Sequence, residues 1–162
     1  MLRTPLTFTL GLMVGLAVHT GVAQERRLPG VNGINHLAFA TPRYAEMAQF
    51  YTQTLGFPEV LSRRDEAGRP TLTYFQASRS TFIELMPAGD NRPAGFTHFG
   101  VHVEDVAAVA ARLRERGLQV GTPRTIGSGS LTVSITDPDG NRLEVSELPP
   151  DAPVRKAMDA WK

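Results

Sequence analysis

The feature that most constrains this chain is a repeat in the order of its elements. A strand, a helix and three strands read over residues 33–88 return in the same order over residues 96–148. In the first copy, Gly33-Ile34-Asn35-His36-Leu37-Ala38-Phe39-Ala40 alternates as a strand, with Leu37 and Phe39 on one face and His36, Ala38 and Ala40 on the other. Thr41 and Pro42 are predicted to open a helix as N-cap and first helical residue, because proline has no N–H to leave unpaired there. Met47, Phe50, Tyr51 and Leu55 recur at helical spacing, and Gly56 suits the position just past its end. Residues 58–64, 71–77 and 81–86 read as strands, with turn signals at Glu66-Ala67-Gly68-Arg69-Pro70 and Ser78-Arg79-Ser80. After a polar linker over 89–95, the second copy has a strand over 96–103 and a helix marked by Val106, Val109, Ala110 and Leu113 and closed by Gly117. Strands around 118–120, 130–136 and 142–147 complete it.

The repeat carries chemistry as well as pattern. His36 precedes Gly56 by 20 residues and His98 precedes Gly117 by 19; Glu84 follows His36 by 48 and Glu144 follows His98 by 46. Glu144 lies just beyond the turn Asp137-Pro138-Asp139-Gly140-Asn141, on the polar face of a strand whose Leu143 and Val145 point the other way. If the two halves face each other about a pseudo-twofold axis, each first strand offers a His and each last strand a Glu to one point. Two imidazoles and two carboxylates suit Zn²⁺, Ni²⁺, Co²⁺ or Mn²⁺ and leave a position or two for water or substrate. The alternative is that each polar residue is satisfied separately at a strand end; the duplicated positions favour the metal.

With 162 residues, 41% hydrophobic, the chain can build one well-packed domain or two small modules sharing a sheet, and its lack of cysteine excludes a disulfide scaffold. A formal net charge of +1 gives no electrostatic case for nucleic acid or an anionic membrane as partner. Residues 1–23 read as a signal peptide: Arg3 supplies a positive start, 6–18 is an apolar run, and Gly21-Val22-Ala23 offers a cleavage site. The run is short of the ~20 residues an anchor needs, so cleavage and export to a bacterial periplasm or beyond are expected. Residues 24–32 are then a lead-in, and His19 is lost while His36, His98 and His102 remain.

The stretches Phe50-Tyr51-Thr52-Gln53-Thr54-Leu55-Gly56-Phe57, Thr97-His98-Phe99-Gly100-Val101 and Asp137-Pro138-Asp139-Gly140-Asn141-Arg142-Leu143-Glu144 carry a resemblance over residues 33–148. The chain resembles the vicinal oxygen chelate superfamily, which includes glyoxalase I, extradiol dioxygenases, methylmalonyl-CoA epimerase and the fosfomycin and bleomycin resistance proteins. The resemblance implies an α+β fold of two paired βαβββ modules, 33–88 and 96–148, forming a U-shaped mixed sheet around a metal cleft. It places His36, Glu84, His98 and Glu144 at the ligand positions. A carboxylate at Glu84 is similar to glyoxalase I, whereas the dioxygenase and fosfomycin-enzyme patterns use two His and one Glu. Two contacts of the glutathione-using enzymes are replaced, by Ala40 and Ala88.

The function this implies is an exported metal-dependent isomerase or lyase of glyoxalase I type, with Zn²⁺ or Ni²⁺. A substrate carbonyl would be polarised while Glu144 or Glu84 moves a proton between adjacent carbons. The alternatives are ring cleavage by a dioxygenase with Fe²⁺ or Mn²⁺, and metal-free sequestration in the manner of the bleomycin binders. The partner is a small oxygenated molecule, and the ligands come from one chain or are shared across a homodimer. His102 shares a strand face with His98, either as a catalytic proton relay or as a rim residue bonded to water. Phe82, Met86, Ser130, Thr132 and Ser134 are expected to wall the cleft. Arg142 either holds an anion or lies on the surface beside the turn. In the tail, 149–162, residues 152–161 can form a short helix with Val154, Met158 and Trp161 along one side, packing on the sheet or on a second subunit; the other reading is a frayed end.

Overall fold

The structure is a computed structural model that describes residues 27–162, so the expected signal peptide lies outside the described residues. Its strands are β1 (Val31–Thr41), β2 (Glu59–Arg64), β3 (Pro70–Ser78), β4 (Thr81–Pro87), β5 (Gly95–Val103), β6 (Arg124–Thr125), β7 (Leu131–Thr136) and β8 (Arg142–Glu147). They form one mixed sheet in the order β2-β3-β4-β1-β5-β8-β7-β6. Each half contains one parallel pair, β1 with β4 and β5 with β8, and the halves join through antiparallel β1 and β5. In that central pair His36 stands opposite Gly100 and Ala38 opposite His98, so the two first strands present their histidines symmetrically. This is the expected α+β architecture of two βαβββ modules.

The second module follows its sequence pattern closely. Helix α2 (Val106–Glu115) is capped by Asp105, whose side chain accepts the Ala108 N–H at 2.9 Å. It buries Val106, Val109, Ala110 and Leu113 against Val103, Val133 and Val145, and Gly117 ends it at φ 86. The strand expected around 118–120 does not form. Arg114 takes the Val120 and Gly121 carbonyls at 2.9 and 2.5 Å, so those acceptors face a guanidinium rather than a neighbouring strand, and the third element of this module is the short β6.

The first module departs more. Helix α1 (Tyr44–Gln49) starts later than predicted: Thr41 is still paired with Pro87 in the sheet, and its hydroxyl accepts the Arg43 N–H at 3.1 Å in the turn that leads into the helix. The chain then loosens into a π turn over Phe50–Thr54. No residue of α1 is buried; this segment meets the sheet through Tyr44, whose hydroxyl donates to Thr73 Oγ1, and through Tyr51, whose ring lies 5.3 Å from that of Phe75.

A third helix, α3 (Pro153–Ala160), forms from the tail and docks on the sheet. Val154 and Leu148 pack with Leu61, Tyr74 and Phe82, and Gln76 Nε2 donates to the Ala157 carbonyl at 3.3 Å. Val154 is the anchor, at 1% exposure, while Trp161 remains 40% exposed. Because Tyr74 and Phe82 share the inner face with Glu84, α3 covers one end of the concave side of the sheet.

Candidate metal centre

The four residues singled out by the repeat meet at one buried point. His36 Nε2 lies 3.4 Å from Glu84 Oε2 and 3.7 Å from Glu144 Oε2; His98 Nε2 has the same two distances. The imidazoles stand 5.3 Å apart, nearly perpendicular at 87°. Each of the four residues is at most 6% exposed. The ligand atoms of His36, Glu84 and His98 all lie within 4.8 Å of one another, a group that could hold a metal ion.

Hydrogen bonding orients both histidines alike. Thr97 Oγ1 donates to the Ala38 carbonyl at 3.2 Å, which leaves its lone pairs for His98 Nδ1 at 3.0 Å. Asn35 Nδ2 donates to the Ser80 carbonyl at 3.3 Å, which turns Oδ1 toward His36 Nδ1 at 3.2 Å. In each case the ring proton sits on Nδ1 and the Nε2 lone pair points at the shared centre. Among the described residues His36 Nε2, His98 Nε2 and Glu144 Oε2 are buried with no hydrogen-bond partner. A buried polar atom left unpaired costs about 1–3 kcal/mol, and three that converge fit a bound cation. Two imidazoles and two carboxylates match a borderline divalent ion, so the residues present suit the metal expected from the sequence.

The charges are arranged for the same purpose. Burial lowers the His36 pKa from 6.5 to about 4, against the pull of Glu84, so the imidazole is neutral at pH 7. Burial acts to raise Glu84, but its interactions with the two neighbouring histidines and with the Tyr74 hydroxyl bring it below the ordinary carboxylate value. Tyr74 donates to Glu84 Oε2 at 2.7 Å. Its own pKa is pushed far up by burial and by the Glu84 charge, so it stays a donor. Glu144 is raised, burial outweighing the influence of His98 and Arg142. The symmetric pair of carboxylates is therefore electrostatically asymmetric, with Glu84 held as the anion and Glu144 the more willing proton acceptor.

A cleft of about 740 Å³ opens over this centre, lined among others by Tyr74, Glu84, Met86, Phe96, His98 and Glu144. Arg142 borders it and donates to Glu144 and, at 3.3 Å, to Ser134 Oγ. Met86 lines the cleft as expected, whereas Phe82 is fully buried in the cluster with α3. The anticipated hydroxyl wall is mostly committed elsewhere: Thr132 bonds Ser146 at 2.8 Å and Ser128 bonds Ser130 at 3.0 Å, and of these only Ser128 lines the cleft. His102 is not brought to the carboxylates. It lines a separate cavity of about 400 Å³ with Arg79, Ser80 and Arg155.

Tyr74, Asn35 and Thr97 were missed from sequence, yet signals for them exist. A hairpin centred on Arg79 puts Tyr74 opposite Glu84, as the β3–β4 register does. Asn35 and Thr97 each immediately precede a ligand histidine, which is a further repetition between the halves.

Fold and site together define a class of protein in which paired βαβββ modules hold a candidate metal centre between them. A family model described as the Glyoxalase/Bleomycin resistance protein/Dioxygenase superfamily matches residues 33–145, and the chain belongs to that superfamily. It is 34% identical over 110 residues to an ethylmalonyl-CoA/methylmalonyl-CoA epimerase of Cereibacter sphaeroides, covering 61% of this chain and 78% of the relative. It is 26% identical over 163 residues to a 2-epi-5-epi-valiolone epimerase of an Actinomyces species, covering 83% of this chain and 89% of the relative. The fold is shared with methylmalonyl-CoA epimerase from Mycobacterium tuberculosis, with a TM-score of 0.63, 22% identity and coverage of 75% of this chain and 91% of that one.

Proposed function

We propose that this protein is a metal-dependent epimerase, moving a proton on and off a carbon next to a carbonyl in a small oxygenated substrate. The observation that carries the reading is the meeting of His36 Nε2 and His98 Nε2 at Glu84 Oε2, 3.4 Å from each, with Glu144 Oε2 3.7 Å from both imidazoles and with neither Nε2 nor Glu144 Oε2 given a hydrogen-bond partner. His36, Glu84, His98 and Glu144 would hold a divalent ion, which when bound would supply Lewis-acid polarisation of a substrate carbonyl and so acidify the neighbouring C–H. Epimerisation needs a base that takes that proton and an acid that returns one to the opposite face of the same carbon. The two carboxylates come from the last strands of opposite halves, which supports such a division of labour. Glu144, with its raised proton affinity, is the better base; the C–H bond breaks, its electron pair passes to the enolate, and the proton moves to the carboxylate. Tyr74 spends its single O–H on Glu84 and so keeps that carboxylate in place.

Two relatives that are epimerases favour this chemistry over the glyoxalase I reaction expected from the carboxylate at Glu84. The test is solvent-deuterium incorporation at the α-carbon of methylmalonyl-CoA and of a panel of 2-substituted 3-oxo compounds, followed by NMR. Exchange that requires one divalent ion per chain supports the reading. Oxygen uptake with catechols, and no exchange, would replace it with ring cleavage. Export remains part of the proposal, on the strength of residues 1–23. The secreted protein should then begin at Gln24, and a mass showing residues 1–23 intact would end it.

A further inference from the structure

The charged residues lining the cleft are unevenly placed. Its two carboxylates, Glu84 and Glu144, are buried and turned toward the histidines, while all its exposed charge is cationic, from Arg92, Arg124 and Arg142. The whole chain has a formal net charge of only +1, so this is a local concentration rather than a general background. Arg142 is taken up by Glu144 and Ser134. Arg92 spends one N–H on the Pro87 carbonyl, at 3.2 Å. The Arg124 guanidinium makes no hydrogen bond among the described residues. Arg92 belongs to the linker between the halves and Arg124 to β6 at the sheet's far edge, yet both reach the same cavity.

We propose that Arg92 and Arg124 form an anion-holding subsite at the mouth of the cleft, which receives a carboxylate or phosphate group of the substrate. Guanidinium forks match the oxygens of either group, and a cleft lined by one sign of charge concentrates ligands of the other. The inference rests on the epimerase reading for its use but not for its existence, because anion binding can be measured without turnover. Both arginines line the cavity that holds Glu84 and Glu144, and the charge of Arg124 reaches Glu144.

The test is calorimetric titration of the full chain, as purified and after chelator treatment, with inorganic phosphate, malonate and coenzyme A. Binding of these probes should persist without metal and weaken at least about tenfold in Arg92→Gln/Arg124→Gln, while Arg79→Gln, in the other cavity, binds as wild type does. Coenzyme A held much more tightly than phosphate would identify the anion as a phosphate of a coenzyme A ester; similar affinities for all three would identify a single anionic group on a small substrate. Wild-type protein that binds none of them, binding that needs the metal, or a double variant with unchanged affinity would overturn the subsite. Metal content measured on the same samples keeps that failure separate from failure of the metal centre.

Discussion

Gly100 lies across the β1–β5 pair from His36, and a Cβ built on it would fall 2.0 Å from His36 Cε1. The imidazole occupies the space that a side chain on the partner strand would fill. His98 has Ala38 in the corresponding position, so the two halves solve the same crowding with the two smallest residues.

Gly100→Ala should therefore displace the His36 ring while the sheet still forms. Divalent-ion affinity is expected to fall by about 10- to 100-fold, the usual cost of disturbing a ligand's support. Metal titration of the variant alongside its circular dichroism checks this, and wild-type affinity would show that the ring has room elsewhere.

Thr97→Val removes the acceptor at His98 Nδ1 and keeps the shape of the side chain. The same range of loss in metal affinity is expected, about 10- to 100-fold, without a large change in unfolding free energy. Asn35→Leu should act likewise through His36. Affinities unchanged in both variants would mean that packing alone sets the ring orientations.

The carboxylates should differ when metal is saturating. Glu144→Gln is expected to lose roughly 10²-fold or more in turnover if it carries the proton. Glu84→Gln should show its larger effect on metal affinity, since Glu84 is held below the ordinary carboxylate value and accepts the Tyr74 hydroxyl. Near wild-type turnover in both would remove the proton shuttle from the mechanism.

Stability of the metal-free protein should depend on pH through His36. Its folded pKa of about 4 lies below the unfolded 6.5, so the unfolded chain binds the proton more readily. Full stability is present above 6.5 and is lost as pH falls toward 4, by up to about 3 kcal/mol. Glu84, lowered, adds loss in the same direction at lower pH; Glu144, raised, opposes it by protonating more readily in the folded state. Urea midpoints of chelated protein across this range, with His36→Gln as the flatter control, measure the slope; equal slopes would remove His36 as its source.

Helix α3 should matter for stability as well as shape. Val154→Ala deletes buried methyl groups against Tyr74 and Phe82 and is expected to cost on the order of 2 kcal/mol. Because the helix covers one end of the concave face, the same substitution should loosen the wall behind Tyr74. A denaturation midpoint that does not move would show that α3 rests on the sheet without supporting it.

The sequence by itself determined the duplicated architecture and the four residues of the centre. Strand alternation puts His36, Glu84, His98 and Glu144 on the polar faces at equivalent places, and α2 was legible from its apolar stripe and from Gly117. These are short-range properties, set by backbone geometry within a few residues. Only the tertiary structure decided the rest. Thr41 stays in the sheet beside Pro87, so α1 begins later than predicted, and the segment after Leu118 turns its Val120 and Gly121 carbonyls to Arg114 rather than to a strand. His102 shares a strand with His98 but opens into another cavity with Arg79 and Arg155. Arg92 and Arg124, far apart along the chain, line one cleft. In most of these the outcome depends on a partner many residues away or on the curvature of the sheet, and for Arg114 on a side-chain contact that strand alternation does not describe.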